Sequence, residues 1–140
     1  MTSLNLENLV KIGQLKSEPA DQQEFDGLVR SAKARLHDAG NISLALESRF
    51  DLAYNAAHAL ALAALRWNDY RSDNRYIVFQ ALPHTLGLGV EVWKVLSHCH
   101  NLRNRGEYEG HLDLSEQLIK DLVQATRALQ EKVERLNSAT

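Results

Sequence analysis

Residues Ser48–Trp67 read SRFDLAYNAAHALALAALRW, and this stretch decides the fold. Between Ala53 and Leu65 only Asn55 and His58 are polar, and seven positions are alanine. A helix that is apolar on nearly all sides is a buried helix. Alanine has the highest helix propensity, and its small side chain lets neighbouring helices pack closely. Thirteen residues are too few to cross a bilayer, which takes roughly 20. The stretch therefore predicts the central helix of a small all-α bundle.

The rest of the chain predicts helices laid against this one. Apolar residues recur at spacings of three and four in the other segments, which is typical of helices with one buried face. The predicted segments are a short N-terminal helix or arm ending at Gly13, a helix from Asp21 to about Asp38, the central helix from near Ser43 to Asn68–Asp69, a weaker segment Arg75–Leu86 interrupted by Pro83, a helix Val90–Arg105, and a last helix opened by Asp113. Asp21 with Glu24, and Asp113 with Glu116, have the spacing of capping boxes. The architecture predicted is a bundle of four main helices.

Composition limits the function further. The chain has 140 residues, a formal net charge of −2 and one cysteine, Cys99. This length predicts a single domain over 1–140, with an N-terminal segment 1–19 and a bundle 20–137. The near-neutral charge predicts no general polyanion-binding surface. A single cysteine and no evident signal peptide or membrane span predict a cytoplasmic protein.

The most informative polar stretch is Asn101–His111, NLRNRGEYEGH. Its candidate site residues are Arg103, Asn104, Arg105, Tyr108 and His111. At the predicted end of a helix these side chains can converge without being buried. They form either a solvated last turn whose arginines offset the helix dipole or a binding site. Arg103 and Arg105 are the residues predicted to bind RNA or a nucleotide.

This motif, together with RFDLAYNAAHALALAAL, resembles the HEPN-domain proteins over about residues 20–135. The resemblance implies a small all-α bundle, a homodimer with a paired cleft at its two-fold axis, and a toxin–antitoxin component encoded beside a minimal nucleotidyltransferase. The family motif is Arg, a polar residue, and His after four to six intervening residues. Arg103 and Asn104 match its first two positions, and Tyr108 stands where His is expected, as in members with R-N-x-x-x-Y-x-G. The alternative pairing of Arg105 with His111 puts Gly106 in the polar position.

The resemblance also implies a chemistry. Active family members cleave RNA without a metal or cofactor: a base takes the proton of the ribose 2′-OH, and Arg stabilises the charge on the phosphate. Tyrosine, with an ordinary pKa near 10, is a poor base. We therefore expect an RNA- or nucleotide-binding protein with weak or no ribonuclease activity. The alternatives are an active endoribonuclease that uses Arg103 with His111 or Tyr108, and a helical interaction module without a ligand.

Other polar residues have two interpretations each. Asn55 and His58, three apart on the central helix, are either satisfied core residues or supports that hold the Arg103 helix in place. Arg66, Arg71 and Arg75 flank a loop and are either a modest nucleic-acid footprint or ordinary loop residues. Arg49 and Asp51 are predicted surface or interface groups. The two histidines of His98–Cys99–His100 diverge on a helix, so no metal site is predicted.

Overall fold

A computed structural model describes residues 4–110 and 113–138, and the side chains of all of these except 4 and 107–109. The elements are α1 (Leu4–Lys11), β1 (Lys16–Ser17), α2 (Gln22–Ala39), α3 (Leu46–Trp67), β2 (Tyr70–Arg71), α4 (Arg75–Gln80), α5 (Leu82–Thr85), α6 (Val90–Glu109) and α7 (Glu116–Ser138). The predicted all-α fold is confirmed. Among the described residues, no helix combines the length and the apolar character needed to cross a membrane.

Helix α3 is the centre of the fold, as its sequence predicts. It packs against α2, α4, α5, α6 and α7. From Ala53 to Leu65 every residue is buried apart from Asn55, His58 and Leu62, which are half-buried. The large fully buried side chains of the core include Phe50 and Tyr54 of α3 together with leucines of its neighbours. The half-buried polar positions of α3 all face the side where a candidate site lies.

The N-terminal segment docks on the same molecule. Leu6 and Leu15 are buried in the core, and Gly13, with φ +78°, makes the turn after α1. Strands β1 and β2 pair antiparallel, with Ser17 opposite Tyr70. This two-residue ladder was not indicated by any alternating pattern in the sequence. It ties the segment that follows α1 to the segment that follows α3.

Several helix ends differ from the prediction. Helix α3 begins at Leu46 rather than near Ser43, because the Asn41 side chain accepts hydrogen bonds from the Ser43 backbone and hydroxyl and holds a turn there. Helix α6 continues through Gly106 to Glu109. It stops at Gly110, whose φ of +79° an L side chain rarely adopts.

The two predicted capping boxes are both incomplete. Asp21 accepts from the backbone amides of Gln23 and Glu24, as predicted, but the Glu24 carboxylate turns to Arg66 instead of to the Asp21 amide. Helix α7 is capped by Ser115, whose hydroxyl accepts from the Leu118 amide at 3.1 Å. The helix therefore begins later than an Asp113 cap would place it. The predicted interruption at Pro83 is confirmed, since α4 ends at Gln80 and α5 begins at Leu82.

Candidate functional site

The candidate site lies where α4 and α6 cross one face of α3. Tyr54 and Asn55 lie four and three residues before His58, so each shares a face of α3 with His58. We call the following residues the arginine cluster: Tyr54, Asn55 and His58 of α3, Arg75 of α4, and His100, Arg103 and Asn104 of α6. Phe79 of α4 forms a wall of the cluster, with its ring 5.9 Å from those of both His58 and His100.

Two guanidinium groups lie over one aromatic ring. The guanidinium carbon of Arg103 is 5.0 Å from the centroid of Tyr54, and that of Arg75 is 5.6 Å away. A cation over an aromatic face is attracted by the ring quadrupole. Arg75 Nη1 also donates to Asn55 Oδ1 at 3.1 Å, and Asn55 Nδ2 in turn donates to the carbonyl of Asp51 at 2.8 Å. The cluster thus brings together two positive charges from different helices.

His100 joins α3 to α6. It is buried, its Nδ1 lies 2.9 Å from the Tyr54 hydroxyl, and its Nε2 lies 3.2 Å from Asn104 Nδ2. An amide nitrogen can only donate, so Nε2 accepts and Nδ1 carries the proton that is donated to Tyr54. Burial, followed by the charges of Arg103 and Arg75, lowers the pKa of His100 below its ordinary value. His100 is therefore a neutral link with both ring nitrogens engaged.

His58 lies one turn beyond Tyr54 and is half-buried. Burial lowers its pKa to about 4, and the nearby charges of Arg75 and Arg103 act in the same direction. The imidazole is therefore neutral at pH 7. Burial is the larger cause, and the two arginines add a positive potential at His58.

The sequence-predicted residues fall into three groups. Arg103, Asn104, Asn55 and His58 come together in the cluster, and Asn55 acts through Arg75 rather than through the Arg103 helix. Arg105 is exposed, and because it lies two residues from Arg103 on a helix it points in a different direction. The side chain of Tyr108 and the whole of His111 lie outside the described residues. Arg103 lies within α6, not at the helix end predicted for it.

Sequence reasoning missed the roles of Tyr54, Arg75 and His100. The hydroxyl of Tyr54, next to Asn55, is a polar group on an otherwise apolar helix, and this could have indicated its role. His100 was considered only as a metal ligand, although its spacing of three and four to Arg103 and Asn104 puts all three on one face of α6. Arg75 was grouped with two arginines that do not share its surroundings.

Those two arginines, Arg66 and Arg71, form a different unit with Glu18 and Glu24, which we call the arginine–glutamate network. Arg66 is only 1% exposed, and it donates to Glu24 and to the carbonyl of Glu18. Arg71 donates to both glutamates. Burial alone raises the pKa of Glu24, but the hydrogen bonds from both arginines outweigh it and hold the pKa below its ordinary value. Both arginines are therefore engaged by carboxylates of the protein.

The surface position predicted for Arg49 is also wrong. Arg49 is 5% exposed, donates to the carbonyl of Ala39 at 2.9 Å, and reaches both carboxylate oxygens of Glu116 at 2.9 and 3.0 Å. A guanidinium on a helix start can be buried where a carboxylate and a carbonyl satisfy its donors. Arg49 therefore clamps α3 to the end of α2 and the start of α7.

Metal and thiol chemistry find no support in the part of the chain that the structure describes. Within it, no three His, Cys, Asp or Glu side chains are grouped to hold a metal ion. Cys99 is fully buried, and burial, with a smaller effect of Asp121, raises its pKa to about 12. Because the thiolate is the reactive form, this thiol is inert in the folded protein.

The cluster has the chemistry of an anion site. Two guanidinium groups can bind phosphate oxygens, and aromatic and amide groups beside them can contact a base or ribose. Comparisons of the chain with protein-family models, with curated proteins and with solved structures found no match. The resemblance to HEPN proteins stays a prediction from the sequence.

Proposed function

We propose that this protein is a HEPN-like RNA- or nucleotide-binding protein with weak or no ribonuclease activity, and that the arginine cluster is its phosphate-binding site. The observation that carries the proposal is the pair of guanidinium groups, from Arg75 and Arg103, that lie over the ring of Tyr54. Burial is the largest cause of the lowered pKa of His58, and the charges of these two arginines lower it further. The two positive charges that oppose protonation of His58 would attract an incoming anion.

Two features favour binding over cleavage. His100, the histidine hydrogen-bonded within the cluster, is buried and has both ring nitrogens engaged, so it is poorly placed to take a proton from substrate. The pKa of about 4 makes His58 a weak base, whereas an effective general base has a pKa near the working pH. Strong cleavage therefore requires a base from outside these two histidines.

The active endoribonuclease remains the second candidate function. It would use Arg103 to stabilise the phosphate and His111 or Tyr108 as the base. The cluster favours this candidate only in one respect, namely that Arg103 is held against Tyr54 and is therefore pre-positioned. A helical interaction module without a ligand is the remaining alternative.

The resemblance supplies the biological setting of the proposal. It favours a cytoplasmic homodimer that works in a toxin–antitoxin pair with a minimal nucleotidyltransferase. Light scattering of the purified protein at micromolar concentration tests the dimer, and a monomer would contradict it. Co-purification with a nucleotidyltransferase encoded beside it would test the pairing.

The deciding experiment measures binding and cleavage together. A fluorescently labelled single-stranded RNA is titrated with wild type, Arg103→Ala and Arg105→Ala in excess EDTA, followed by anisotropy and then by gel analysis of the same samples. We expect binding by wild type, at least about tenfold weaker binding by Arg103→Ala, and little intact RNA lost. Equal affinity of wild type and Arg103→Ala would contradict the proposed site. Rapid cleavage by wild type alone would instead establish the endoribonuclease.

A further inference from the structure

A polar cavity lies beside the arginine cluster. It has a volume of about 410 Å³ and lies between α1, the α4–α5 segment and α6. Its polar lining consists of Asn5, Asn8, Gln80 and His84, and Trp93 supplies an aromatic wall. This volume is within the range of small-molecule sites, which is about 300–1,000 Å³. Three carboxamides, an imidazole and an indole are groups that recognise a planar, polar ring.

The cavity is connected to the cluster through Tyr76. Gln80 Nε2 donates to the Tyr76 hydroxyl at 2.6 Å, and the Tyr76 ring lies 5.8 Å from that of His100. Tyr76 is a large side chain that is 44% exposed, and its chain neighbour is Arg75. Along α6, Trp93 and His100 are seven residues apart, which places them on one face about 10 Å from each other along the axis. Gln80 of the cavity, Tyr76 and His100 of the cluster are therefore linked by direct contacts across α4 and α6.

Trp93 adds an independent observation. Its indole Nε1 is buried and has no hydrogen-bond partner among the described residues. A buried donor without a partner is costly, and most such groups in proteins are paired. Trp93 also lines the cavity, and an acceptor on a ligand bound there would be a partner for this donor if the indole turned toward it.

We propose that Tyr76 and the cavity lined by Trp93 bind the bases of a single-stranded RNA whose phosphates lie on the arginine cluster. This inference rests on the proposed function. Proteins that bind single strands combine a positive track for the backbone with aromatic side chains on which bases stack. Carboxamides such as those of Asn5, Asn8 and Gln80 can both donate to and accept from base edges. In a paired duplex the base faces are stacked on each other and are not available to Tyr76.

The test compares an oligoribonucleotide with an abasic strand of the same length and charge. Their affinities are measured for wild type, Tyr76→Ala, Tyr76→Phe and Arg103→Ala, with circular dichroism to verify folding. We expect wild type to prefer the base-bearing strand. Tyr76→Ala should reduce affinity for that strand by about five- to hundredfold and leave the abasic strand unaffected. Tyr76→Phe keeps the ring and should restore the preference.

The cavity is tested separately by fluorescence. In a Trp67→Phe variant, Trp93 is the only tryptophan, and we expect the base-bearing strand to quench or shift its emission while the abasic strand does not. In the matched Trp93→Phe variant the remaining Trp67, which packs against Phe25 at 4.9 Å, should not respond.

Each outcome points to one conclusion. Equal affinity of wild type for both strands, or no effect of Tyr76→Ala on the base-bearing strand, would overturn the base site. If Arg103→Ala still weakened binding of both strands in that case, the proposed phosphate site would stand. An unresponsive Trp93 would remove the cavity from the proposal. Binding of neither strand by wild type would contradict the proposed function and this inference together.

Discussion

The two arginine groups of this protein differ in what surrounds the guanidinium. Arg66 in the arginine–glutamate network is 1% exposed and is paired with Glu24 and with backbone carbonyls. Arg75 and Arg103 in the arginine cluster lie against the ring of Tyr54 and beside histidines. In the network, positive charge is balanced by carboxylates. In the cluster, it adds to the effect of burial, which is the larger cause, in lowering the pKa of two neighbouring histidines.

We propose that this difference separates a structural role from a binding role. The guanidinium of Arg66, held by carboxylate and carbonyl oxygens, joins α3 to α2. Guanidinium groups that meet over one aromatic ring, as those of Arg75 and Arg103 do, add to the local positive potential, which suits an anionic ligand.

The largest effect is expected from Arg66→Ala. Removal of the buried Arg66 takes one of two arginine donors from Glu24, leaves the carbonyls of Glu18 and Pro19 without this donor, and opens a cavity beside α3. We expect the free energy of unfolding to fall by about 3–5 kcal/mol, measured by urea denaturation at pH 7. Arg71→Ala is the matched control, because Arg71 donates to the same glutamates but its side chain is 27% exposed. A loss no larger for Arg66→Ala than for Arg71→Ala would contradict the structural role.

The next effect is a pH dependence that originates in the cluster. The unfolded chain protonates His58 near its ordinary pKa of 6.5, whereas the folded protein does so only near 4. Between these values the unfolded state binds more protons, so stability falls as the pH falls. From pH 7 to pH 5 we expect a contribution of about 2 kcal/mol from this group.

A His58→Asn variant isolates that contribution. His100 has a lowered pKa too and acts in the same direction, so the variant should show a flatter profile rather than a flat one. Unfolding is measured by urea at pH 5, 6 and 7 in both proteins. Identical slopes would mean that His58 is not held neutral by its surroundings.

For Arg75→Ala we expect a smaller loss of stability than for Arg66→Ala, together with a loss of RNA affinity. Loss of one cation–π contact and one hydrogen bond to Asn55 should cost only about 1 kcal/mol of stability. The affinity for single-stranded RNA should fall, and the slope of log affinity against log salt should become shallower by about one unit. Anisotropy titrations between 50 and 200 mM salt, which are about the range over which phosphate contacts weaken measurably, test this. Lost stability with an unchanged salt slope would make Arg75 another structural arginine, like Arg49 and Arg66.

The same comparison shows what the sequence can predict. The central helix followed from its composition, because an apolar surface on all sides leaves one physical solution. The resemblance of a short motif singled out Arg103 and Asn104, and the structure places both side chains in the arginine cluster. The different surroundings of Arg75 and Arg66 could not be predicted from the sequence. Both residues flank one loop, and they differ only in which helix their side chains meet. Local spacing predicts neighbours on one helix, whereas Tyr54, Arg75 and His100 come from three helices and meet only through the packing.

The smallest effect is expected from Arg105→Ala, and its smallness is informative. Arg105 lies two residues from Arg103 and carries the same charge, but it is exposed and on a different face of α6. An exposed substitution of this kind changes stability by no more than about 0.5 kcal/mol. Its charge reaches the cluster only through a screened field, because the Debye length is about 10 Å at 0.1 M salt.

If affinity depended on charge alone, Arg105→Ala and Arg103→Ala would weaken RNA binding equally in 150 mM salt. We expect Arg103→Ala to have much the larger effect, because Arg103, unlike Arg105, is held over Tyr54 where a phosphate can be bound at close range.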